Sequence, residues 1–208
     1  MELKTSYYYF KKALSKSFCK KIIKKCLSLK KQRQRGVTFK YQDGKINKSR
    51  LKSLLKLRDS EIVFFDDEII YKEIFNLVRR ANKGAEWNYD FDWCETIQFT
   101  IYAENQHYGW HCDMGPEVYG DSHPVPYRGK IRKLSCSVLL NDPKEFEGGE
   151  FEFDYRNNKG GKNIGVATEL DGPGSVIVFP SYIWHRVKPV TKGTRYSLVF
   201  WFLGPPYR

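Results

Sequence analysis

Two neighbouring stretches, Glu95-Thr-Ile-Gln-Phe-Thr-Ile-Tyr102 and Tyr108-Gly-Trp-His-Cys-Asp113, decide how this chain is read. In the first, Ile97, Phe99 and Ile101 fall on one face of an extended chain and Gln98, Thr100 and Tyr102 on the other. That period of two predicts a β-strand, and a polar face on so apolar a strand predicts the lining of a cavity. In the second, His111 and Asp113 stand two apart, so on a strand both side chains leave the same face. One more ligand completes a two-histidine, one-carboxylate facial triad, which leaves open positions on a ferrous ion. His185, in Pro180-Ser-Tyr-Ile-Trp-His185, is the candidate.

Downstream the two-residue period persists. Residues 133–140 form a strand with Ser135 and Ser137 on one face, and Gly148-Gly149 turns the chain into 150–155. Residues 157–162 predict a hairpin loop, and Asp171-Gly-Pro-Gly174 turns into a strand over 175–179. The last strand, 195–202, places Arg195, Ser197, Val199 and Trp201 on one side and Tyr196, Leu198, Phe200 and Phe202 on the other. Arg195 and Ser197 are placed to hold a carboxylate, the Arg through a two-pronged contact. Residues 115–132 carry Gly, Pro, Tyr and charge without periodicity and leave directly from the iron-binding strand; they predict a lid or binding loop.

Upstream, Tyr7 to Phe10 predicts a short edge strand. Ser15 reads as the N-cap of an amphipathic helix whose apolar face is Phe18, Ile22, Ile23, Cys26 and Leu27. Residues 32–49 predict a polar, basic loop with a hairpin around Asp43-Gly44, and 50–57 a brief helix or turn. Ile62-Val-Phe-Phe65 leads into a second main helix over 68–82, with Ile70, Ile74, Phe75 and Val78 inward. The expected architecture is mainly β with supporting helices: a double-stranded β-helix, or jelly roll, packed by N-terminal helices. The 208 residues suit a single domain, 1–93 giving helical support and a basic loop and 94–208 the jelly-roll catalytic core.

Charge is unevenly placed. Residues 1–60 hold 19 Lys and Arg against Glu2, Asp43 and Asp59, a net +16, whereas the whole chain carries +12. Such a segment attracts nucleic acid or an acidic partner, or is a solvated face. Five scattered cysteines with no CxxC fit a reducing compartment. With no signal peptide or membrane-spanning stretch evident, the expected location is the cytoplasm, with no membrane partner.

These residues together resemble the iron- and 2-oxoglutarate-dependent oxygenases, specifically their prolyl 4-hydroxylase-like branch, firmly over 98–201 and faintly over the N-terminal helices. The resemblance implies His111, Asp113 and His185 as Fe(II) ligands and Arg195 as partner of the far carboxylate of 2-oxoglutarate, with Tyr102 bonded to the same group. Ser197 accompanies Arg195 at the co-substrate. Tyr108 and Trp201 match aromatic positions that line the site in relatives, and Arg128 joins them as an expected substrate contact. Dioxygen is the second co-substrate, ascorbate an accessory reductant, and succinate and carbon dioxide are the co-products. Collagen-type relatives usually carry Lys at the Arg195 position, and many relatives have Tyr where this chain has Leu139; both departures point away from collagen-like substrates.

The leading functional reading is therefore a dioxygenase acting on a prolyl residue of a protein or peptide. A nucleic-acid or nucleotide oxygenase using the basic N-terminal third is the alternative within enzymes. A non-catalytic jelly-roll binding protein is the alternative outside them.

Overall fold

A computed structural model describes residues 5–36, 48–155 and 163–207. The N-terminal part contains β1 (Tyr8–Phe10), α1 (Lys16–Ser28), β2 (Gln34–Arg35), α2 (Lys48–Leu57), β3 (Arg58–Asp59), β4 (Glu61–Phe65) and α3 (Glu68–Gly84). Strands dominate the rest of the chain, beginning with β5 (Trp93–Cys94), β6 (Ile97–Tyr102), β7 (His107–His111), β8 (Ile131–Leu139), β9 (Phe146–Gly148) and β10 (Phe151–Asp154). The chain then runs through β11 (Ile164–Val166), β12 (Val176–Pro180), β13 (Trp184–Val187), β14 (Val190–Gly193) and β15 (Arg195–Gly204). The hairpins expected at Asp43-Gly44 and over 157–162 lie outside the described residues.

The strands build a mainly β jelly roll. The larger sheet runs β1-β12-β8-β15-β6-β4-β2, with β5 also paired to β15, and the smaller runs β11-β10-β13-β7-β3. β9 and β14 form a separate two-stranded ribbon. Alternation along the central strands divides the interior in two. Ile97, Phe99, Ile101, Leu134, Val138, Leu198, Phe200 and Phe202 bury against α1 and α3. Tyr102, Ile177 and Phe179 face the other way and pack with Phe151, Phe153, Ile183 and Val187 between the sheets. The functional cavity opens into that second, inter-sheet layer.

The helices form where their caps and apolar stripes dictate. Ser15 Oγ accepts the Phe18 N–H at 3.2 Å and starts α1, which buries Cys19, Ile22 and Cys26. Asp67 Oδ1 accepts from Ile69 N and Ile70 N at 3.1 and 3.2 Å and starts α3. α3 buries Ile70, Ile74, Leu77, Val78 and Ala81, with Phe75 only partly covered. Each large buried apolar side chain contributes about 1.5–3 kcal/mol, so packing outweighs the caps.

The N-terminal segment is more than helical support. β4 pairs with β6 along its whole length and carries the larger sheet past residue 94. The sequence hides this strand because Ile62-Val-Phe-Phe65 is a continuous apolar run with no alternation to mark it. No helix among the described residues is long and apolar enough to cross a membrane.

Candidate metal centre

β7 and β13 are neighbours in the smaller sheet, and their register sets His185 opposite His111. The two imidazole centroids are 4.1 Å apart. β7 ends at His111, so Asp113 does not share a strand with it as the spacing predicted. Instead the chain bends, and the Asp113 and Met114 N–H groups both donate to the Ser181 carbonyl, at 2.9 and 3.0 Å. This anchor brings the carboxylate back between the rings. Asp113 Oδ1 lies 3.6 Å from His111 Nε2, and Oδ2 lies 3.5 Å from His185 Nε2. Ser135 Oγ donates to Oδ2 at 2.7 Å and fixes its rotation.

The far side of each ring decides what the near side can do. His111 Nδ1 is 2.9 Å from the Gly109 carbonyl, and His185 Nδ1 is 3.0 Å from the Ile183 carbonyl. A carbonyl oxygen only accepts, so each Nδ1 carries the hydrogen and each Nε2 turns a lone pair inward. Burial, reinforced by His185, pushes His111 down to about 3 and keeps it neutral. Burial alone would raise Asp113, but its surroundings, His185 first, then His111, Arg132 and the Ser135 hydroxyl, outweigh it and hold the carboxyl below its usual range. One ligand atom from each of the three residues can be taken with all three within 4.8 Å of one another. Two neutral imidazole nitrogens and one carboxylate on one side of a pocket fit a divalent transition metal such as ferrous iron.

The rest of the cavity fits an anion. Arg195 is 2% exposed, pairs across the sheet with Tyr102, and holds Cζ 5.8 Å from that ring's centroid. Arg195 Nη1, Arg58 Nη2 and Trp201 Nε1 are buried donors with no hydrogen-bond partner among the described residues, and all three residues line the cavity. Buried donors are nearly always satisfied in folded proteins, so this set fits a ligand rich in acceptors. Gly149 makes room for it: its φ is +66°, and a Cβ there would stand 3.0 Å from Arg195 Cδ and Val190 Cγ2.

Of the residues singled out from the sequence, His111, Asp113, His185, Arg195, Tyr102, Ser197, Tyr108 and Trp201 all line this one cavity. Tyr108 stacks on His111 with centroids 3.5 Å apart. Arg128 is not brought to it. Its Nε donates to the His123 carbonyl at 2.9 Å and its Nη1 faces Asp121 at 3.8 Å, so it is consumed within its own loop.

Sequence reasoning missed several contributors. Arg58 reaches the cavity from β3, a segment whose strand character is two residues long and carries no pattern. Arg132 grips Glu95 through two bonds, at 2.6 and 2.7 Å, donates to the Asp113 carbonyl at 3.2 Å, and stands 4.2 Å over the Trp201 ring. A charged residue heading the apolar run 133–140 was the available signal for it. Phe151 and Phe179 pack against His185, at 5.3 and 4.7 Å between centroids.

Similarity to known proteins agrees with this geometry. The family model of the 2OG-Fe(II) oxygenase superfamily matches residues 97–203, and the chain belongs to that superfamily. A PKHD-type hydroxylase of Xylella fastidiosa (strain M12) is 38% identical over 107 residues, covering 50% of this chain and 42% of that protein. The match thus spans less than half of that relative's length. Among solved structures, the viral collagen prolyl hydroxylase of Paramecium bursaria Chlorella virus-1, in complex with 2-oxoglutarate, superposes with a TM-score of 0.65. It is 19% identical, with 97% of each chain covered. A prolyl hydroxylase of Trichoplax adhaerens, in complex with a hypoxia-inducible-factor peptide fragment, gives a TM-score of 0.60 at 15% identity, covering 96% of this chain and 84% of that one. At such identities the likeness establishes the shared fold.

Proposed function

We propose that this protein is an Fe(II)- and 2-oxoglutarate-dependent dioxygenase that hydroxylates a prolyl residue in a protein or peptide. The observation that carries the reading is the convergence of His111, Asp113 and His185 in a cavity that also holds a buried, unpartnered Arg195. Iron bound by these three residues supplies, with 2-oxoglutarate and dioxygen, oxidative decarboxylation of the keto acid to succinate and transfer of one oxygen atom to an unactivated C–H bond.

The chain's own residues position and protect. His111 and His185 offer Nε2, and the backbone carbonyls behind them lock ring orientation. Arg195 anchors the far carboxylate of 2-oxoglutarate, Tyr102 donates its hydroxyl to the same group, and Ser197 lies beside Arg195 on β15. Phe151, Phe179 and Val187 form an apolar wall that keeps water from the buried histidine. No protein general base is assigned, and Arg195 acts as an anchor rather than a proton donor.

The prolyl choice is supported by the names of the structural neighbours, one of which was solved with a peptide, and the hydroxylase reading also by the name of the curated relative. A cytoplasmic setting is supported by five cysteines, none of which forms a disulfide among the described residues. The nucleic-acid reading rests on the basic N-terminal third, yet Lys20, Lys21 and Lys24 are the exposed face of an amphipathic α1, which accounts for them without a partner. Incubation with iron, ascorbate, 2-oxoglutarate and a proline-containing peptide library should give a one-oxygen gain on proline by mass spectrometry. Oxygen gain on an oligonucleotide, with salt-sensitive binding, would overturn the prolyl assignment.

A further inference from the structure

The cavity holds a second buried guanidinium. Arg58 is 5% exposed and enters from β3, the edge strand of the smaller sheet, where it pairs in register with Tyr108. Its Nε donates to Ser60 Oγ at 3.0 Å, and its Cζ sits 4.5 Å from the centroid of the Tyr108 ring. Gly36 packs behind it so closely that a Cβ there would stand 2.8 Å from Nε. The head group is thus held on several sides, while Nη2 is buried without a hydrogen-bond partner among the described residues.

Among the described residues, its neighbourhood offers no protein anion to match. Asp113 is the one carboxylate among the described lining residues, and both its oxygens face the histidines and Ser135. Asp59, next in sequence, is taken by Arg35 and Gln106. Arg58, Arg195 and Tyr102 line the same cavity, and both guanidiniums act electrostatically on the Tyr102 phenol. Two buried guanidiniums without a paired carboxylate are costly unless a ligand supplies the charge.

We propose that Arg58 is a second co-substrate-binding residue, which donates through Nη2 to the far carboxylate of 2-oxoglutarate alongside Arg195. This rests on the reading that Arg195 anchors that carboxylate. It deepens that reading in one respect: the co-substrate site is completed by the N-terminal segment, beyond the sheet that carries Arg195, and it selects strongly for a dicarboxylic keto acid.

The test is anaerobic calorimetry on the Mn(II)-loaded protein with 2-oxoglutarate and with 2-oxopentanoate, which has a methyl group in place of the far carboxylate. Arg58→Gln should weaken 2-oxoglutarate binding about tenfold or more and leave 2-oxopentanoate and Mn(II) binding within about twofold of wild type. Arg58→Lys should fall between. Equal loss of both keto acids in Arg58→Gln would show a merely structural role and overturn the proposal. So would full 2-oxoglutarate affinity in Arg58→Gln when Arg195→Ala has lost it. If Arg195→Ala also binds 2-oxoglutarate like wild type, the anchoring role of Arg195 falls as well.

Discussion

Each histidine of the triad uses its two ring nitrogens differently, and that division carries the first predictions. Because Nδ1 is committed to Gly109 or Ile183, only Nε2 is free to bind metal. His111→Ala, Asp113→Ala and His185→Ala should each weaken Fe(II) or Mn(II) binding by more than about a hundredfold. His107→Ala and His123→Ala should leave it unchanged, since His107 is occupied with the Lys56 carbonyl and His123 lies in the exposed loop with Ser122. Ser135→Ala removes the donor that orients Asp113, together with its contact to Ser181 Oγ at 2.9 Å, and should cost about 10–100-fold in metal affinity. Arg195→Ala should raise the 2-oxoglutarate requirement by about 2–5 kcal/mol of lost binding while metal still binds, with Arg195→Lys milder. The triad and Arg195 were legible because ligand chemistry restricts residue type and strand geometry restricts spacing. Arg58, Arg132 and Ser135 were less so, since what makes them matter is an orientation created by strand pairing between distant segments.

At the scale of elements, caps and turns can be tested apart from chemistry. Asp67 begins α3 and also pairs with Lys25 at 2.6 Å. Burial alone would raise its carboxyl, but the bond from Lys25 and those from Ile70 N and Ile69 N hold it below its ordinary value of 3.8. A folded-state value below the unfolded one means that the unfolded chain binds more protons as pH drops. The Asp67 contribution is therefore complete above about pH 4 and is lost as pH falls through the depressed folded value. Urea unfolding should show Asp67→Ala less stable by about 1 kcal/mol at neutral pH, with a shallower fall in acid than wild type. The loop over 115–132 is built more firmly than its composition suggested. Tyr119 N donates to the Lys130 carbonyl at 3.0 Å, Gly129 N to the Tyr119 carbonyl at 2.8 Å, and the Tyr119 hydroxyl to Glu95 at 3.3 Å. Replacing 117–128 with a Gly-Ser linker should abolish peptide hydroxylation while metal and 2-oxoglutarate still bind. Full turnover by that variant would show that the loop does not cover the substrate.

For the whole molecule, the jelly roll was readable from 95 onward because antiparallel strands packed against a core on one face keep a period of two. The N-terminal third was readable as helices with caps and, at Tyr7 to Phe10, as an edge strand, but not as a contributor of β3 and β4 to both sheets, because short or continuously apolar strands carry no period. Its net charge, which dominated the composition, proved a poor guide to position. Exposed lysines of α1 lie on a packed helix, whereas Arg58, from the same basic third, lies inside the cavity. The central claim is that one cavity holds ferrous iron through His111, Asp113 and His185 and 2-oxoglutarate through Arg195. The most direct measurement is an anaerobic titration of the protein with ferrous iron and 2-oxoglutarate, following the visible absorption that ferrous iron gives with a bound 2-oxo acid. Wild type should develop the band, His185→Ala should not, and Arg195→Ala should need far more 2-oxoglutarate to reach it. A band of full strength in His185→Ala, or none in wild type, would contradict the account.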